Sequence, residues 1–165
     1  MYFSNVINNP IFSKVIDGKV FKIAHRFEDI ADATTVYLYF QNPSNSGRIF
    51  TLATVEVVSQ GQGRIDISKS FTVDSAGTDI TPINLNFGSN ETSKASVKHG
   101  GSYSNITQHL SIAVPGGTSI RAFGALSEVG EFTLMPADSE ILIQFTNTSA
   151  STIDCSVMMI WVEDY

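Results

Sequence analysis

Three histidines, one cysteine and sixteen carboxylates are the side chains of this 165-residue chain with the widest scope for chemistry. His25, His99 and His109 lie far apart, and no two of them have the H-x-H or H-x-x-x-H spacing that brings ligands to one metal. His25 is expected on the side of its strand away from the core, as a surface or internally satisfied imidazole. No G-x-S-x-G elbow ties a serine to a histidine and an aspartate. A glycosidase pair can come from distant strands, and Asp66, Asp74, Asp79, Glu128, Glu131 and Glu140 are available. Nothing in their spacing pairs any two. Glu28, Asp29 and Asp32 could hold Ca²⁺ but read more simply as a solvated acidic turn. Gly61, Gly63, Gly116 and Gly117 sit in apparent hairpin loops and not at strand-to-helix junctions, so a phosphate cradle is not expected. Cys155 is the single cysteine, on an apolar strand face, and reads as a buried, inert thiol. The expectation is a protein with no catalytic residues, no metal and no cofactor.

Charge points the same way. With 16 acidic against 10 basic residues the chain carries −6, and the basic residues are spread along it without a tract. Nucleic acid is therefore not an expected partner. No run approaches the length of an apolar membrane span, and no basic-then-apolar leader opens the chain, so synthesis in the cytoplasm is expected and a membrane is not. Three Asn-x-Ser/Thr triplets, at Asn90, Asn105 and Asn147, read as chance in an Asn- and Ser-rich chain.

The elements that would position these residues are strands. Residues 1–19 form an apolar arm with a short helix or strand, broken at Asn9-Pro10 and closed by the turn signal Asp17-Gly18. Residues 20–165 form one domain. Alternation begins at Val20, and Thr35-Val36-Tyr37-Leu38-Tyr39-Phe40 is β-branched or aromatic throughout. Residues 48–59 and 64–73 flank Gln60-Gly61-Gln62-Gly63 and read as a hairpin. Pro82 marks an edge or a crossing between sheets, and Asn84 and Asn86 share a face suited to bonding loop backbone. Residues 88–105 hold few apolar side chains and read as a long exposed loop. Strands resume at 106–114, 118–123 and 131–134, and the chain closes on a pair at 140–145 and 155–162. In that last arm Cys155, Val157, Met159 and Trp161 point one way and Ser156, Met158, Ile160 and Val162 the other. A strand apolar on both faces lies between two layers or shows one face to another subunit. About 8–10 strands with no long helical period predict an all-β, antiparallel, jelly-roll-like sandwich with an N-terminal arm.

Four groups of residues carry a family likeness: Asp17-Gly18-Lys19-Val20-Phe21 with His25; Tyr37-Leu38-Tyr39-Phe40; Gly77-Thr78 with Asn84-Leu85-Asn86; and Leu134-Met135-Pro136, Leu142-Ile143, Thr146-Asn147 and Trp161-Val162-Glu163. In this order they resemble jelly-roll virion proteins of tailed bacteriophages: head decoration, turret or fibre-base proteins. The resemblance implies a non-enzymatic homotrimer bound to a capsid shell, with the major capsid protein or another head protein as partner and the virion as location. The expected subunit interface is Met158, Ile160 and Val162. Capsid attachment is expected in the arm, at Tyr2, Phe3, Ile11 and Phe12. The alternative is a carbohydrate-binding sandwich, or a virion protein that also adheres to host surface glycans, with Tyr37, Tyr39 and Tyr103 as the ligand face.

Overall fold

The computed structural model describes residues 10–115, 120–123 and 133–165. Helix α1 (Pro10–Ile16) precedes twelve strands. These are β1 (Val20–Ile30), β2 (Thr35–Asn42), β3 (Ile49–Ser59), β4 (Gly63–Ser75), β5 (Thr78–Asp79), β6 (Ile83–Asn84), β7 (Ser96–His99), β8 (Ser102–Val114), β9 (Ile120–Phe123), β10 (Thr133–Met135), β11 (Ser139–Asn147) and β12 (Ile153–Asp164). They build two antiparallel sheets packed as a sandwich. Sheet A runs β10-β3-β12-β1-β6, with β9 also on β3; sheet B runs β5-β7-β2-β11-β4-β8. The first and last strands are neighbours in sheet A, and β2 pairs with β11 in sheet B. This is a jelly-roll-like order.

Alternation explains the core. Cys155, Val157, Met159 and Trp161 of β12 and Ile141, Ile143 and Phe145 of β11 belong to one buried cluster between the sheets. Trp161 stands edge-on to Phe40 at 4.9 Å and stacks on Phe21 at 6.2 Å. Aromatic contacts of this kind add about 1 kcal/mol each beyond area burial.

The expected hairpin at 48–73 is not one, and neither is the closing pair. β3 and β4 lie in different sheets, as do β11 and β12, so each connection is a corner between layers. The two corners run side by side and bond each other: Gln60 N–H donates to Asp154 C=O at 3.1 Å, and Thr148 N–H to Gln62 C=O at 3.0 Å. Gly63 is needed there for close approach, since a Cβ on it would fall 2.4 Å from the Phe145 ring.

The 88–105 stretch is also not one long loop. Ser96–His99 pairs with β2 and Ser102 opens β8. Backbone pairing needs few apolar side chains, and Val97 and Tyr103 supply the buried anchors. Pro82 does mark a crossing: β5 before it belongs to sheet B and β6 after it to sheet A. Through β6 and β7 this crossing covers the edges of β1 and β2.

Helix α1 ends at Gly18, whose φ of +69° suits a residue without Cβ. Gly18 N–H donates to Val15 C=O and Lys19 N–H to Lys14 C=O, the Schellman pattern. Asn86 Nδ2 donates to Ile16 C=O at 2.9 Å and Asn84 Nδ2 to Gly18 C=O at 2.8 Å, tying the helix end to the crossing.

Candidate functional site

The register of sheet A sets out its outer face. Met158 lies between Ala24 and Glu56, Ile160 between Lys22 and Thr54, and Ser156 between Arg26 and Val58. At one end Val162 (6% exposed) and its partner Val20 (0%) are buried within the chain. Helix α1 is held there by Lys14, whose Nζ lies 2.6 Å from the Asp164 carboxylate on the same face of β12. Met158 and Ile160 stay half-buried, and Ala24 is exposed. Lys22 and Arg26 flank this apolar strip from β1, and Glu56 from β3. The Arg26 guanidinium bonds the Asp154 carboxylate at 2.5 Å, which raises its pKa and lowers that of Asp154. The structure therefore divides the three expected interface residues: Val162 is covered, whereas Met158 and Ile160 stay half-buried among the described residues.

In the arm, Ile11 is half-buried, and Phe12 (45%) and Ile16 (61%) are exposed. Tyr2 and Phe3 lie outside the described residues.

Tyr37, Tyr39 and Tyr103 do come together, with Tyr103 centred 5.3 Å from Tyr37 and 6.1 Å from Tyr39. They are not an open platform. Tyr39 (6%) and Tyr103 (9%) are buried in a second small core with Leu142 (0%), against which Phe71 and Ile106 pack. Repeated register shifts between Ile67 and Ser75 accompany this packing of the β4–β8 ribbon onto the outer face of sheet B. Tyr103 is thus a buried residue of the largely exposed strand β8 and not part of a loop. Tyr39 O–H donates to Glu140 Oε2 at 2.6 Å. Burial first, and then Glu140, pushes the Tyr39 hydroxyl pKa well up; burial and the Glu140 charge also raise that of Tyr103.

The candidate carboxylates are separately occupied. Asp66 accepts from Arg64 Nε at 2.8 Å, Asp74 from Ser104 Oγ at 2.9 Å, and Asp79 from Lys98. Glu128 and Glu131 lie outside the described residues, as do Gly116 and Gly117. In the acidic turn Asp32 accepts from Ala150 N–H, and Asp29 N–H donates to Asp154. No group of three metal-ligating side chains forms among the described residues. An apolar cleft of about 460 Å³ opens between β3 and the β4–β8 ribbon, with Leu52, Val55, Ile67 and Leu110 in its walls and Lys69 and His109 among its polar lining. Among the described residues its lining holds no carboxylate.

Two clusters have no signal in the sequence. Glu163, fully buried, accepts from Arg48 Nη1 (3.1 Å), Trp161 Nε1 (3.0 Å), Ser93 Oγ (2.5 Å) and Lys94 N–H (3.0 Å). So many donors make it a structural clamp on the crossing segment. His25, expected away from the core, instead shares the inward side with Phe21, Ile23 and Phe27 and meets His99 at 3.9 Å between ring centres. Alternation with Phe21, Ile23 and Phe27 does place His25 on the apolar side, and Phe27 on the same strand also meets it; what local alternation does not reveal is His99, which comes from the other sheet. Cys155 is buried, and burial pushes its thiol up to about 12.

Comparison with protein-family models, with curated proteins and with solved structures finds no match.

Proposed function

We propose that this chain is a non-enzymatic structural protein of a bacteriophage head, a decoration, turret or fibre-base component that assembles with copies of itself. The observation that carries assembly is the outer face of sheet A. Its central strand offers Met158 and Ile160 half-open beside exposed Ala24, flanked by cations on β1 and Glu56 on β3. An apolar centre with a charged rim is the usual anatomy of a protein interface. The virion setting and the trimeric state come from the resemblance, with the major capsid protein or another head protein as partner. Exposed Phe12 and Ile16 on α1 suit attachment by the arm. A glycan-binding reading is weaker, because burial of Tyr39 and Tyr103 leaves only Tyr37 half-open for stacking on a sugar. Sedimentation velocity over a range of concentrations tests assembly: a homo-oligomer is expected, and a concentration-independent monomer contradicts it. The gene is expected beside those of a major capsid protein or portal.

A further inference from the structure

We infer that His25 and His99 form an acid-sensitive latch between the two sheets, closed while both imidazoles are neutral and strained open when both take protons. His25 lies on β1 of sheet A and His99 on β7 of sheet B, and their rings meet at 3.9 Å with 32° between planes. Phe27 stands edge-on to His25 at 4.7 Å and to His99 at 6.4 Å, so the pair shares an apolar wall. Across the strands His25 faces Val157, and His99 faces Leu38 and Thr78. These neighbours offer no countercharge. Cys155, opposite Phe27 on β12, keeps its proton because burial raises its pKa. Lys98 and Asp79, one residue along on β7 and β5, are paired with each other. Arg26, beside His25 on β1, is committed to Asp154 and Glu28. Two neutral imidazoles can stack in that setting, whereas two imidazolium ions would repel across a partly desolvated gap.

Burial first, and then the His99 charge, lowers the His25 pKa from its ordinary 6.5. The unfolded chain therefore binds more protons below that value, and stability falls as pH drops through about 6.5. The strain acts where β5, β6 and β7 cover the edges of β1 and β2, so acid loosens that cover first.

A histidine ring-proton NMR titration from about pH 8 to about pH 5 tests the latch. It is combined with amide exchange of β7, corrected for the intrinsic pH dependence. The expected result is a His25 midpoint below the ordinary 6.5, rising towards it in His99→Gln. Protection of Val97 and His99 amides falls about tenfold on acidification in the wild type and holds in the variant. If His99→Gln does not fold, His25→Gln reads the same coupling from the other ring. The latch is overturned if the His25 midpoint sits at the ordinary 6.5 and does not move in His99→Gln, or if β7 stays equally protected on acidification.

Discussion

Glu163 shows how a single side chain holds distant parts of this chain together. Its carboxylate joins Arg48, Trp161, the Ser93 hydroxyl and the Lys94 N–H in one buried site. Replacing it with Gln leaves the Arg48 guanidinium, itself buried, without its inner partner. Glu163→Gln is therefore expected to cost about 3 kcal/mol in urea denaturation, the scale of a broken buried ion pair. Gly63→Ala drives a methyl into the Phe145 ring and is expected to cost about 1–3 kcal/mol by the same measurement. Cys155 is expected to resist iodoacetamide in the native protein and to react fully once urea exposes it. At this scale the sequence is informative where burial alone decides, as for Cys155, or where local backbone bonding does, as for Asn84 and Asn86. It is silent on Glu163 and on the histidine pair, because their partners arrive from other strands and in part from the other sheet.

Elements follow their alternation, and what alternation omits is which sheet a strand joins. β12 reads correctly as apolar on both faces. The glycine corner at 60–63 reads as a hairpin because glycines serve both a tight turn and a close crossing of layers. What closes the outer face of sheet B is equally hidden, since the β4–β8 ribbon reaches it through register shifts that leave no pattern in residue type. Phe71, on that ribbon, meets Tyr39 at 6.0 Å and Tyr103 at 5.8 Å, edge-on to both. Phe71→Ala is expected to lower stability by about 2 kcal/mol, less than a fully buried Phe because the ring is half-exposed. The same change opens Tyr39 and Tyr103 to solvent, which near-ultraviolet difference spectra would register. Helix α1 plays the matching part on sheet A, where it sits at the Val20–Val162 end, and among the described residues Met158 and Ile160 in the middle of the face stay half-buried.

The whole molecule is thus a sandwich with unequal outer faces. Sheet B is closed by its own ribbon, whereas sheet A is closed at one end and, among the described residues, only half-covered at Met158 and Ile160. Burying that strip against a second copy would remove apolar side chains from water at roughly 25 cal/mol per Å². Assembly through it must survive the loss of freedom on association, so a single buried charge is enough to prevent it. The most direct measurement is sedimentation velocity on Ile160→Asp beside the wild type, with circular dichroism on both. Assembly through this face predicts an oligomeric wild type and a variant that sediments as a folded β-rich monomer. A variant that stays oligomeric, or that fails to fold because Ile160 belongs to the core, contradicts it.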